Sequence, residues 1–279
     1  MNPFISANHH DIIKYMNKTT CGAVYALSIA ENIQHGNIYI YQDSALFWHY
    51  SGFAFIGGAC ENHFLNFIYE NFFAANPVFS IDRSKNISRR FILFASDQKT
   101  KDFFFNKNKI FNNINNIIAG KRYFFEYPRN FHDFSSEFYL KNKISPVNFT
   151  NFQIREINAE LLDKLNHING VVTPYFSWSK PSEFLKNGKG YCLTDGNIIA
   201  AWAFSAAVSS IEIDIGVETS AEYRRLGFGA LVAGQMIKYC LEQNKRPVWA
   251  CNSNNIASRK LAEKLGFIKI SECDTFKKI

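Results

Sequence analysis

Residues 211 to 267 constrain the fold more than any other stretch. An alternating apolar run, Ile211-Glu-Ile-Asp-Ile-Gly-Val217, leads through a short loop into Arg224-Arg-Leu-Gly227-Phe-Gly229-Ala230, where the pattern changes period. From there Phe228, Leu231, Val232, Met236, Tyr239 and Cys240 recur at three- and four-residue spacing, the mark of a helix that buries one face against a sheet. A second strand-like run, Pro247-Val-Trp-Ala-Cys251, is followed by Asn252-Ser-Asn-Asn255 and another helical stretch that stops at Gly266-Phe267. The order is strand, turn, helix, strand, helix.

The turn has chemistry of its own. Gly227 and Gly229 lack a Cβ, so backbone amides there can come close to an anion. The first amides of the following helix have no intrahelical acceptor and lie at the positive end of its dipole, and Arg224 and Arg225 add charge beside them. A long nucleotide-bearing ligand suits such a cradle, although a Gly-x-Gly turn is also met as a tight turn without any ligand. A dinucleotide fingerprint would need Gly-x-Gly-x-x-Gly directly after the strand. A phosphate-transfer loop would need Gly-Lys-Ser/Thr where Gly229-Ala230-Leu231 stands. Both are disfavoured.

With cradle and second helix together, the segment resembles the GCN5-related N-acetyltransferases (GNAT), whose acetyl-CoA loop reads Gln/Arg-x-x-Gly-x-Gly/Ala. Arg224, Gly227 and Gly229 match that loop, and Asn255, Ser258, Leu261, Lys264, Gly266 and Phe267 match the family's later Asn-x-x-Ala/Ser-x-x-Leu-Tyr-x-Lys-x-Gly-Phe stretch. Further stretches, among them Gly36-Asn-Ile-Tyr-Ile-Tyr41, Gly52-Phe-Ala-Phe-Ile-Gly-Gly58, Phe184-Leu-Lys-Asn-Gly188 and Gly216-Val-Glu-Thr219, resemble two-part acetyltransferases of the kind that includes the zwittermicin A resistance enzyme. The likeness is strong after about residue 152 and loose before it.

The resemblance implies an α+β fold with α/β/α layering: a GNAT-like mixed sheet flanked by helices, preceded by an N-terminal half that is a candidate diverged copy. Strand-like runs Ile38 to Tyr41, Ala45 to Tyr50 and Phe53 to Ile56, followed by helical Glu61 to Phe73, permit that. Phe138 to Phe152 loses periodicity around Ser145-Pro146 and reads as a linker. The expected division is therefore 1–150 for a substrate-shaping domain and 151–279 for the catalytic one, with an acceptor cleft between them.

The resemblance also implies acetyl-CoA as acetyl donor and direct attack by a neutral amine in a ternary complex. Val217, Thr219, Arg224, Arg225, Leu226, Gly227, Phe228, Gly229, Ala230, Asn255 and Ser258 are then the coenzyme-binding residues. Glu212 and Asp214 lie on one strand face and, with Glu218 at the strand's end, are the candidate general bases in that order. A solvated outer face is the competing reading for each. Thr173-Pro-Tyr-Phe-Ser-Trp178 either lines the acceptor pocket or anchors a loop in the core. Where many relatives carry a tyrosine that protonates the leaving thiolate, this chain has Ala262; solvent, Cys251, Tyr223 or Ser258 are the substitutes.

The expected acceptor is a small-molecule amine, such as an amine-bearing antibiotic or metabolite. The alternatives are a peptide or protein amine, and a non-catalytic acyl-CoA sensor. The formal charge of +7 fits a polyanionic coenzyme and, with no nucleic-acid motif beside the basic stretches, no nucleic-acid partner. Phe103-Phe-Phe105 and Tyr123-Phe-Phe125 resemble base-stacking platforms but read as buried strands. The six cysteines read as reduced core thiols, and neither they nor the seven histidines have metal-ligand spacing. No basic start precedes an apolar run and no long apolar span occurs, so a cytoplasmic protein with no membrane partner is expected.

Overall fold

The computed structural model describes residues 12, 14–15, 22–74, 90–110, 117–128, 152–168 and 172–278. Chain contacts group into two compact units. One takes in Met1–Phe124, Asn252–Asn254 and Ser271–Ile279, the other Phe125–Cys251 and Asn255–Ile270. The expected boundary at 150 lies outside the described residues. The units differ from a division into 1–150 and 151–279, because the end of the chain returns to the first unit. A strand supplied from far along the chain cannot be assigned by reading composition locally.

The first unit begins with helix α1 (Ala23–Ala30) and a meander of three antiparallel strands, β1 (Gly36–Tyr41), β2 (Ser44–His49) and β3 (Phe53–Gly58). Helix α2 (Asn62–Ile68) runs on as a π-helical turn through Phe73 and crosses to β4 (Ile92–Ala95), which pairs parallel to β3. Helix α3 (Gln98–Ile110) and strand β5 (Ile117–Glu126) follow, and the last strand, β11 (Ile268–Lys278), pairs antiparallel with β4 from Asp274↔Ala95 to Lys277↔Ile92. Sheet order in this unit is β1-β2-β3-β4-β11-β5.

Much of the chain's phenylalanine fills this unit. On one face Phe72 and Phe91 stack at 4.2 Å with Trp48 edge-on to both, and on the other Phe55 and Phe94 stack at 4.6 Å beside Tyr25 and Phe53. Phe103 to Phe105 are helical rather than a buried strand. Successive residues on a helix point about 100° apart, so Phe104 alone is fully buried while Phe105 is exposed. Tyr123 to Phe125 do lie on a strand.

The second unit repeats the plan. Its elements are β6 (Phe152–Glu156), α4 (Ala159–His167), α5 (Pro181–Asn187), β7 (Gly190–Asp195), β8 (Ile198–Val208), β9 (Glu212–Thr219), α6 (Phe228–Glu242), β10 (Arg246–Asn252) and α7 (Ile256–Lys264). Strands β6 to β9 pair antiparallel in sequence order, and α6 carries the chain across to β10, parallel to β9. Asn158 caps α4 by accepting from the Leu161 amide, and the apolar residues of α6 (Phe228, Val232, Met236, Ile237, Cys240) are buried as their spacing requires. Among the described residues no helix is long and apolar enough to cross a membrane, and no group of metal-binding side chains occurs.

Candidate functional site

The second unit contains a wedge and a cradle. Parallel pairing between β9 and β10 consists of Arg246↔Glu212, Pro247↔Ile213 and Val248↔Asp214. Beyond that pair β9 runs on to Thr219 and β10 to Asn252 without a further rung, so the two strands diverge from Asp214 and Val248 onward. A register shift in β8 between Ser205 and Ala207 lies across from Ile215 and Asp214, at the same level. Such a bulge strengthens local twist and aids the separation.

At the open end of the wedge β9 turns into α6. Arg225 and Gly227 both have positive φ, 68° and 84°, and the glycine at 227 adopts that conformation without a Cβ penalty. Two left-handed residues so close together form a concave nest of amides. The amides of Arg225, Leu226, Gly227 and Gly229 find no acceptor among the described residues, and no side chain caps α6. Gly229 has a different reason to be glycine than the sequence implied. It is buried, and a Cβ there would stand 3.1 Å from Thr219 Oγ1 and 3.5 Å from Val217 Cγ1, so its smallness seats the helix start against the strand. The Arg224 and Arg225 side chains are exposed at the rim, Arg224 Nε donating to the Thr219 carbonyl at 3.3 Å. Leu226 is half-buried, and Phe228 and Ala230 are buried in the first turn of α6.

Because α6 leans on Val217 and Thr219, the side chains of Glu212, Asp214 and Glu218 lie on the other face of β9. Their surroundings differ. Glu212 is buried and ion-paired with Arg246, which also reaches Glu126 at 3.0 Å. Asp214 is 5% exposed at the point where the strands part. Glu218 is half-buried and accepts the Val172 amide at 2.7 Å, while the Val172 carbonyl accepts Trp202 Nε1–H at 2.7 Å. Two neighbouring strands thus hold one residue of the loop that follows α4, by its amide and its carbonyl. Asp214 and Glu218 stand about 13 Å apart along the strand.

A cleft of about 720 Å³ opens on the Glu218 face, lined by α4 (Asp163, His167), the β7–β8 turn, Trp202 and the segment from Glu218 to Arg224. Of the three carboxylates only Glu218 reaches it. The aromatics of the 173–178 loop divide. Trp178 is 2% exposed and donates to the Ser205 carbonyl, an anchor in the core, whereas Tyr175 and Phe176 are half-buried.

Asn255 and Ser258 belong to α7. The Asn255 side chain caps that helix by accepting the Ser258 amide at 3.0 Å, and the Ser258 hydroxyl oxygen accepts Trp249 Nε1–H at 3.0 Å. Ala262, one turn on, is fully buried. Cys251 is buried on β10, and Tyr223 lines the cleft while stacking on Phe228. Burial pushes the thiols of Cys192 and Cys240 up to about 12, which leaves both protonated and unreactive. Sequence reasoning missed Arg246 and Trp249, since what each does depends on a register pair or a helix packing that no local pattern encodes.

Diverging parallel strands that lead to a turn whose amides have no acceptor among the described residues are the geometry of this α+β protein's candidate site. A family model for GNAT acetyltransferases matches residues 14–276, and the chain belongs to that family. It is 30% identical over 112 residues to YdfB, an uncharacterized N-acetyltransferase of Bacillus subtilis (strain 168), an alignment that takes in 39% of this chain and 43% of that protein. Among solved structures, a GCN5-related N-acetyltransferase-like protein from Streptococcus suis 89/1591 superposes with a TM-score of 0.71 at 20% identity, covering 97% of this chain and 98% of the other. A tandem GNAT protein from the clavulanic acid biosynthesis pathway superposes at 0.56 with 10% identity, covering 99% and 96%. At these identities the likeness is one of fold.

Proposed function

We propose that the chain transfers the acetyl group of acetyl-CoA to the primary amine of a small molecule, by direct attack in a ternary complex. The observation that carries this reading is the row of amides at Arg225, Leu226, Gly227 and Gly229 with no acceptor among the described residues, beside the stretch of β9 beyond its last rung with β10. Amides at a solvent-accessible turn that are not spent on the protein are available to an anion, and a pyrophosphate is the complement of such a nest. When bound, acetyl-CoA supplies an activated acyl thioester on a long, hydrogen-bonding arm.

The chain's own residues then divide the work. The amides of Arg225, Leu226, Gly227 and Gly229 hold the pyrophosphate, with Arg224 and Arg225 adding charge at the rim. Backbone groups of Val217 to Thr219, on the stretch of β9 beyond its last rung with β10, pair with the pantetheine arm. Asn255 keeps α7 in register through its cap. Asp214 is the proton acceptor of choice because it stands where the strands part, with Glu218 about 13 Å further along. The cleft at Glu218 is of the size that encloses small molecules, which favours a small amine over a polypeptide; Asp214 does not line it, so the amine's nitrogen has to reach beyond the cleft to the point where the strands part.

Calorimetric titration with acetyl-CoA, beside ADP and acetate, tests the ligand. Saturable binding of the whole coenzyme, weaker binding of ADP and none of acetate is expected; no binding at millimolar acetyl-CoA overturns the reading. For the base, Asp214→Asn should lower kcat by about 100-fold or more while leaving coenzyme affinity unchanged. Equal kcat in that variant would return the role to Glu212 or Glu218. Binding without transfer to any of a panel of amines would instead identify a non-catalytic acyl-CoA sensor.

A further inference from the structure

Ala262 removes the tyrosine that many relatives use toward the leaving sulfur, and the structure contains a replacement. On a helix, side chains lean back toward the N-terminus, so a long side chain at 262 would extend over the turn that carries Ser258, four residues earlier on the same face. Ser258 thus lies in the region that a phenol at 262 would reach. Its oxygen accepts Trp249 Nε1–H at 3.0 Å, and its own O–H finds no acceptor among the described residues.

The position of that hydroxyl follows from its partner. Trp249 is the first residue of β10 beyond the last rung, Val248↔Asp214. Its indole emerges where the wedge begins and holds Ser258 above that point, on the α6–α7 side of the sheet. Contact between the two helices agrees, since a Cβ on Gly229 would be 3.6 Å from Leu261 of α7. Asp214 presents its carboxylate on the other side at the same level. A proton acceptor and a hydroxyl donor therefore face each other across the vertex of the wedge.

We propose that Ser258, oriented by Trp249, donates a hydrogen bond to the coenzyme sulfur as it departs. This rests on the acetyl-CoA reading above. In the overall exchange the C–N bond forms, the C–S bond breaks, the amine's proton passes to Asp214 and then to water, and the thiolate takes its proton from water. Ser258 keeps its own proton throughout, because an alkoxide is a far stronger base than a thiolate. Its contribution is to stabilise sulfur-centred negative charge, and Trp249, which fills one lone pair of the oxygen, holds that oxygen in place and narrows the directions left to the O–H.

Binding of free CoA and of desulfo-CoA, compared by calorimetry above the thiol's pKa, isolates this contact without turnover. The wild-type protein should bind CoA about tenfold more tightly than desulfo-CoA, the worth of a hydrogen bond to a charged group. Ser258→Ala should erase that ratio, Ser258→Thr should retain it, and Trp249→Phe should reduce it. A merely structural role would weaken both ligands equally and leave the ratio intact, so an unchanged ratio in Ser258→Ala overturns the proposal. Equal affinities in the wild-type protein overturn it as well. Failure of the wild type to bind either ligand overturns the coenzyme reading itself.

Discussion

The two units use one chain plan to opposite ends at the turn between the third meander strand and the crossover helix. In each, an antiparallel meander leads through a helix to a strand that pairs in parallel over three rungs. In the first unit the turn after β3 is sealed by its own chain: the Ala59 amide donates to the Asp43 carbonyl at 2.8 Å and the Cys60 amide to Ser44 Oγ at 3.1 Å. A Cβ on Gly58 would stand 1.9 Å from the Asp43 oxygen, and the residue before α2 is Glu61, an acid where an anion would have to sit. In the second unit the corresponding amides have no acceptor among the described residues, two arginines flank them and α6 is 15 residues long. The same topology is therefore compatible with a closed structural turn and with an anion cradle. What separates them is whether the turn's amides are spent on the protein.

The sharpest way to break this comparison is a pair of glycine substitutions. Gly58→Ala should cost more than about 4 kcal/mol, because backbone rather than a flexible side chain blocks the new Cβ and φ is +87°. Gly227→Glu should leave thermal stability within a few degrees of wild type and abolish acetyl-CoA binding, a loss of at least about 100-fold, by bringing a carboxylate to the cradle. If Gly58→Ala melts normally, or Gly227→Glu binds normally, the contrast between sealed and open turns fails.

Acid should also distinguish the units. His49 of β2 is fully buried, and burial followed by the Arg90 charge pushes it from 6.5 down to about 3. Its Nδ1 accepts the Ser51 amide at 3.0 Å, so the neutral ring carries its proton on Nε2. The unfolded chain binds a proton that the folded one refuses. This contribution is therefore whole above about pH 6.5 and lost as pH falls towards 3, up to about 4 kcal/mol at the acid end. Hydrogen exchange between pH 7 and 4 should reveal opening in β2 and β3 before β8 and β9. His49→Phe should flatten that dependence, and equal acid loosening in both units would contradict the assignment.

The smallest expected effect concerns Gly266, at φ +92° after α7. Its left-handed backbone fits a helix C-terminal position, and a Cβ there meets nothing closer than Tyr127 at 3.5 Å. Gly266→Ala should cost about 1 kcal/mol of stability with coenzyme affinity unchanged. Measured by melting and titration together, it sharpens the contrast with Gly227, the glycine whose neighbours face a ligand.

From sequence alone, the elements between Ile211 and Phe267 were legible because their information is local: alternation gives β9, three- and four-residue spacing gives α6, and two glycines and an asparagine mark the ends of helices. The turn that carries Arg225, Gly227 and Gly229 was legible for the same reason. Reading failed where a short run had no context, as at Phe103 to Phe105, whose aromatic character is shared by strands and by the buried side of a helix. Nor could periodicity rank Glu212, Asp214 and Glu218, which occupy one strand face and differ only in what approaches them.

Tertiary structure decided those approaches. Register set Arg246 opposite Glu212 and ended the parallel ladder at Asp214, the packing of α7 on β10 gave Trp249 a hydroxyl to hold, and the return of residues 271–279 moved the end of the chain into the first unit. The sequence by itself determined which segments form strands and helices, since backbone preference and amphipathic period act over a few residues. Which amides stay free, which carboxylate stands at the wedge and which hydroxyl faces it depend on contacts between residues far apart in the chain, and only the folded structure brings those together.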